Sequence, residues 1–197
     1  GSRRPGLVAA CCGPDDGGGM TWPALRVRNF FQFCWVTPDL EASIEHWVRS
    51  AGAGPFFLFE STSFTESHYR GTPADLAPNR AAIGQLGDIQ IELVSPTTDE
   101  RSIWTDVVPP GRSGFHHAAI YCTDQQYEAE RAAWIAAGAE VAFEGLMKGA
   151  RTCYIDAVET LGFMIQLVTA NPVADYVFGR IREAARNWRG ENPIRTL

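Results

Sequence analysis

The sequence predicts an α+β protein made of two tandem β-α-β-β-β modules followed by a C-terminal helix. Three observations carry that reading. Phe30-Phe-Gln32-Phe-Cys-Trp-Val-Thr-Pro-Asp39 and Gly114-Phe-His-His117-Ala-Ala-Ile-Tyr-Cys-Thr-Asp124 are strand-like runs, each ending at a helix-capping aspartate. Each holds a polar side chain seven residues before that aspartate, Gln32 in one and His117 in the other. Ile91-Glu-Leu-Val94 is then answered by Ile165-Gln-Leu-Val168. Finally, alternate residues in these runs are apolar on one side and polar on the other, which is the period of a half-buried strand. Self-similarity at this scale decides the architecture.

Phe30 to Val36 is the first strand. Pro38-Asp39 starts a helix with Asp39 as N-cap, and Ile44, Trp47 and Val48 form its apolar stripe. Gly52 and Gly54 end it. Phe56 to Glu60 is the second strand, and a polar loop runs from Ser61 to Asn79. Arg80 to Leu86 and Ile89 to Ser95 are the third and fourth strands, joined by a tight turn at Gly87-Asp88. Module one therefore spans 28–97. A linker at 98–113 carries helical turns around Ile103, Trp104, Val107 and Val108. Module two, 114–170, repeats the order. Phe115 to Cys122 is a strand, and Asp124 caps a helix to Ala137 that stops at Gly138. Glu140 to Glu144, Arg151 to Asp156 and Gly162 to Thr169 are its remaining strands, with Asp88 and Asp156 read as turn residues. Asn171-Pro172 opens the C-terminal helix, 171–188, whose stripe is Val173, Val177, Ile181, Ala185 and Trp188. Pro193 to Leu197 is expected on the surface.

The chain has 197 residues, 45% hydrophobic and 20% charged, which suits one globular domain over 20–197. Residues 1–19 read as a disordered or tag-like extension. Gly1-Ser2 has the form of a cloning scar, and Met20 is an alternative start. The apolar patch Leu7 to Cys12 is too short and broken for a secretory signal. A net charge of −6 and a pI near 5.2 disfavour nucleic acid as a partner. No apolar run suffices to span a bilayer, so no membrane partner is expected. The five cysteines are odd in number and lack zinc-type CxxC spacing. They read as reduced thiols in a cytoplasmic protein.

The apolar faces Phe31, Phe33, Trp35; Ile89, Ile91, Leu93; and Phe163, Ile165, Leu167 should pack under the helices. The opposite faces carry Gln32, Glu92, His117 and Gln166, one per inner strand. A carboxylate among large apolar neighbours costs several kcal/mol unless paired or coordinated. Convergence of the four on one point resolves that cost; a metal-free hydrogen-bonded cluster or a solvent-facing edge are the alternatives. By alternation, Phe115 shares the face of His117, and His116 points the other way. His68 lies in the loop as a surface histidine or a base folded over the site. Phe57, Phe59, Tyr69, Phe143, Met147 and Tyr154 line either an apolar cavity or the core.

Gln32 to Leu40, Gly87 to Pro96, Gly114 to Asp124 and Gly162 to Val168, in that order and spacing, resemble the vicinal oxygen chelate superfamily of glyoxalases, bleomycin-resistance proteins and extradiol dioxygenases, in particular its glyoxalase-like branch. The resemblance covers 28–169. It implies that the modules curl into curved half-barrel sheets. It also implies that Gln32, Glu92, His117 and Gln166 hold a divalent metal, one of Zn, Ni, Co, Mn or Mg. Gln166 departs from the family's usual glutamate, leaving Glu92 as the only carboxylate and the catalytic base. The implied activity is that of a glyoxalase- or epimerase-type lyase or isomerase, with a metal-polarised carbonyl or thioester and an enediolate during proton transfer. The alternative is a non-catalytic or metal-free small-molecule-binding protein of the bleomycin-resistance type. A small-molecule substrate or ligand and a homodimer are the expected partners.

Overall fold

The computed structural model describes residues 30–197. The expected extension at 1–19, with Cys11 and Cys12, and the first residues of module one lie outside the described residues. Strand β1 (Phe30–Val36) runs into helix α1 (Leu40–Ala51). Asp39 caps α1 as expected, its side chain accepting from the Ala42 N–H, and Gly52 ends it in the left-handed region at φ 69°. Strands β2 (Phe56–Phe59), β5 (Asn79–Leu86) and β6 (Ile89–Pro96) complete module one. Between β2 and β5 the structure corrects the expected loop. Thr65–Tyr69 and Thr72–Pro73 form a hairpin, β3 and β4, which crosses to module two and pairs with strand β8 (Glu140–Met147).

The linker folds into α2 (Ile103–Val107). Module two follows as β7 (Gly114–Cys122), α3 (Asp124–Ala136), β8, β9 (Ala150–Asp156), a short α4 (Val158–Leu161) and β10 (Met164–Thr169). The cap of α3 is Thr123, not Asp124. Thr123 Oγ1 accepts from the Gln126 N–H while the Gln126 side chain accepts from the Thr123 N–H. The last helix, α5 (Pro172–Ala185), has Asn171 as its cap and stops three residues short of Trp188. The tail lies at the surface as expected, with Ile194 38% exposed, and pairs with β2 as β11 (Ile194–Arg195).

All strands lie in one curved, open sheet ordered β11-β2-β5-β6-β1-β7-β10-β9-β8-β3-β4. The two modules are mirrored in that order and meet where β1 and β7 pair antiparallel. Each inner strand pairs parallel with the last strand of its own module, β1 with β6 and β7 with β10. The outermost strands, β11 and β4, have two residues each.

On the outer face, Ile91, Leu93 and Ala82 pack against Leu40 and Ile44 of α1. Ile165 and Leu167 pack against Tyr127 of α3. The inner face is covered twice. Helix α5 lays Val177, Phe178 and Ile181 on Phe57 and Ile83, while Val173 stays 47% exposed. Helix α2 lays Ile103 and Trp104 over Cys34, Tyr154 and Met164.

Two bulges correct the expected alternation. Phe30 pairs with Ile120 and Gln32 with Ala119, so Phe31 is an extra residue. It packs on Phe178 and Tyr121 rather than under α1. Cys34 pairs with His117 and Trp35 with Phe115, so His116 is extra. The bulge turns His116 to the inner side, beside His117, and sends Phe115 to the outer side against Trp35 and Phe163.

Candidate metal centre

The register places the four expected residues on two adjoining rungs of the inner face. One rung reads Ile83, Glu92, Cys34, His117, Met164 across β5, β6, β1, β7 and β10. The next reads Gln85, Gln90, Gln32, Ala119, Gln166, Tyr154. Glu92 and His117 therefore flank Cys34, and Gln32 and Gln166 flank Ala119.

The structure brings Glu92 and His117 together, with Oε2 to Nε2 at 3.3 Å. It engages the two amides elsewhere. Gln32 donates to Gln90 Oε1 at 3.4 Å, and Gln166 donates to the Tyr154 hydroxyl at 2.8 Å. Cys34, His116 and His117 are fully buried, and Glu92 retains 16% side-chain exposure. Burial, and then the neighbouring Glu92 carboxylate, push the Cys34 thiol well above its usual range. Tyr154 is raised likewise, burial first and Glu92 second.

The hydrogen-bond network assigns the tautomers of the histidine pair. His116 Nε2 lies 2.8 Å from the Ile103 carbonyl oxygen, which can only accept. That nitrogen therefore carries the proton. Burial, then the adjacent His117, push the pKa of His116 down to about 3. The ring is neutral and its Nδ1 is bare. His116 Nδ1 stands 2.9 Å from His117 Nδ1, so His117 donates there. The second ring nitrogen of His117 is Nε2. This atom faces a carboxylate oxygen yet has no hydrogen-bond donor. A carboxylate oxygen and an unpartnered imidazole nitrogen this close can share a proton or a cation. The donor chemistry thus fits a divalent ion, with Glu92 and His117 as the residues that would hold it.

Three members of the site lie outside the four expected residues. Cys34 was legible, since it stands two residues from Gln32 and must share its face. Tyr154 was placed only as a cavity or core residue. Its ring stands 5.1 Å from His117 and its hydroxyl takes up Gln166. His116 needed the bulge, which no period reveals. His68 pairs with Glu144 and Pro73 in the hairpin register. Asp156 ends β9 and binds Arg70 at 2.8 Å.

Two cavities of about 450 and 560 Å³ flank α2 and the loop after it. Neither is lined by Glu92 or His117. Trp104 stands between the smaller cavity and the histidine pair. It lines the smaller cavity, and its ring lies 4.9 Å from that of His116. Among the described residues, no helix is long and apolar enough to cross a membrane.

Comparison with known proteins bears on the fold and the family. A hypothetical protein from Bacillus halodurans aligns at 15% identity and a TM-score of 0.52, covering 74% of this chain and 96% of its own. A methylmalonyl-CoA epimerase in complex with methylmalonyl-CoA and NH4+ aligns at 18% identity and a TM-score of 0.50, covering 74% and 96%. At these identities the likeness is one of fold. No curated protein matches the sequence. The family profile described as Glyoxalase/Bleomycin resistance protein/Dioxygenase superfamily matches residues 31–155, well over half of the chain. With the mirrored modules and the paired inner strands, that match makes the chain a member of the glyoxalase/bleomycin resistance protein/dioxygenase superfamily.

Proposed function

We propose that the protein is a glyoxalase- or epimerase-type enzyme that moves a proton on the carbon beside a carbonyl or thioester. The observation that carries the reading is the approach of Glu92 Oε2 to the unpartnered Nε2 of His117, 3.3 Å apart. A divalent ion bound there would supply Lewis-acid polarisation of the carbonyl oxygen. Glu92, the one carboxylate of the expected set, takes the proton from carbon. His116 and the Ile103 carbonyl hold His117 in one tautomer and orientation. Gln32 and Gln166 stand on the adjoining rung as neutral amides, and the Oε1 atom of Gln166 has no partner. Substrate approaches from the cavity beyond Trp104 when α2 moves aside. The test is solvent deuterium uptake at the carbon next to the carbonyl. A branched acyl-CoA thioester and a thiol–2-oxoaldehyde hemithioacetal are incubated in D2O with Zn, Ni, Co, Mn or Mg. Exchange that disappears in Glu92→Gln supports the reading. No exchange with any ion and either probe overturns it.

One observation favours a second reading, a metal-free binding protein of the bleomycin-resistance type. The inner face is filled by Trp104, Tyr154, Phe143 and Met164, and neither of the two cavities beside α2 reaches Glu92. Replacing Gln166 by Glu separates the two. In the enzyme it adds an anionic donor beside the ion and tightens metal binding by about 1–3 kcal/mol. In a metal-free binder it buries an unpaired carboxylate and lowers the melting temperature instead.

A further inference from the structure

We propose that Cys34 is a ligand of this centre, making it a zinc-type Cys/Glu/His site rather than one completed by amides. The inference rests on the metal reading above and changes its ligand set. Cys34 is the middle residue of its rung, in register with Glu92 on one side and His117 on the other. One ligand atom from each of the three, a sulfur, a carboxylate oxygen and an imidazole nitrogen, lies within 4.8 Å of the other two. A tetrahedral zinc with sulfur at about 2.3 Å and nitrogen or oxygen at about 2.0–2.2 Å sets its ligand atoms roughly 3.3–3.7 Å apart. Closing that difference takes a movement of about an ångström in side chains alone.

A second observation is independent of the cluster. His117 is wholly buried, and its Nε2 has no hydrogen-bond partner. It faces into the same three-atom space. Gln32, by contrast, sits one rung away with its amide against Gln90. The place between the two amides on that rung is held by Ala119, which has no donor atom.

Charge decides between the sets. A site of Glu92, His117 and two glutamine amides leaves a divalent ion with one unit of positive charge buried and uncompensated. Thiolate, carboxylate and neutral imidazole balance the ion, and a buried charge is tolerated only when paired. Thiolate also selects for zinc over magnesium or manganese, which prefer oxygen. Binding replaces the thiol proton of Cys34, which leaves to solvent, one per ion. Three protein ligands leave the fourth position for substrate. Gln32 and Gln166 then serve the substrate side.

The experiment uses the full chain, with Cys11 and Cys12 replaced by serine so that neither contributes. The metal-stripped protein is titrated with Co2+ and separately with Zn2+. One ion per chain, with a strong near-ultraviolet thiolate-to-cobalt charge-transfer band, is the expected result. Gln32→Ala should keep the band. Cys34→Ser should lose it and bind zinc more weakly by at least the roughly 10–100-fold that losing a mere outer-shell partner costs. Zinc-edge X-ray absorption on the parent protein needs no variant at position 34 and should show one sulfur at about 2.3 Å. An ion that binds without sulfur, and equally well in Cys34→Ser, overturns the Cys34 assignment and leaves the metal reading standing. Failure of the parent protein to bind either ion overturns both.

Discussion

Phe31 and His116 occupy the same place in the two modules. Each directly precedes the polar residue that opens the inner face, Gln32 or His117. Each is the extra residue of a bulge in the β1–β7 pairing, and each is turned inward. Their uses differ. Phe31 packs against Phe178 of α5 and Tyr121, with ring centroids 5.1 and 5.4 Å away, and so anchors the helix that covers module one. His116 links the Ile103 carbonyl of α2 to His117 and so fixes a tautomer. The repeated backbone supplies the same turn twice. The side chain placed on it determines whether the turn packs a lid or sets a proton's position.

Exchanging the two residues should break the symmetry of that comparison. His116→Phe copies module one into module two and leaves the Ile103 carbonyl and the His117 Nδ1–H unpaired. Each unpaired buried group costs about 1–3 kcal/mol, so denaturant unfolding should show a loss of about 2–4 kcal/mol. The reverse change, Phe31→His, removes ring packing and half-buries one imidazole, for a loss of about 1–2 kcal/mol. Equal losses in the two variants would sink the distinction.

The covers themselves differ next. Helix α2 is tied down by ions: Arg70 binds Asp106 at 2.7 Å, with Asp106 12% exposed. A double-mutant cycle with Arg70→Met and Asp106→Asn should return a coupling of about 1–2 kcal/mol. A coupling near zero would mean that α2 is held by Ile103 and Trp104 alone. Helix α5 is tied by packing and by hydrogen bonds from the Tyr121 hydroxyl to Asp175 at 2.8 Å and from the Gln90 amide to the Phe178 carbonyl at 3.5 Å.

The smallest effect concerns that hydroxyl. Burial, then Asp175, push the Tyr121 phenol up to about 12. The folded state therefore favours the neutral form. Its contribution is complete below pH 10 and fades as the pH rises towards 12, because the unfolded chain ionises first. Unfolding measured at pH 9 and pH 11 should show a loss that Tyr121→Phe reduces. An unchanged slope in that variant would detach the phenol from the hold on α5.

Local features were the legible ones. The caps Asp39 and Asn171 and the four inner strands could be read because each depends on neighbours in sequence. The α3 cap moved by one residue because Thr123-Asp-Gln-Gln126 also makes a capping box, with both bonds formed. The hairpin β3–β4 was hidden because its polar Thr-Glu-Ser-His-Tyr run takes its partner from β8, far along the chain. The inner-face placement of Glu92, His117, Gln32 and Gln166 was legible from alternation, which also puts Cys34 there. The inward turn of His116 was out of reach, since a bulge inserts one residue into a period of two.

The guanidinium of Arg70 stands among three carboxylates, Asp106 of α2, Asp156 of β9 and Glu140 of β8. One cation thus holds together three anions that would otherwise push one another apart. The hairpin works as a keystone: it stands at the end of the sheet, yet it contains the repulsion among all three, with Arg101 adding a longer contact to Asp106 at 3.7 Å. Any swing of α2 that bares the His116 side must first draw Asp106 out of that arch, and salt, by screening the remaining thrust and the bond alike, sets how readily the arch lets go.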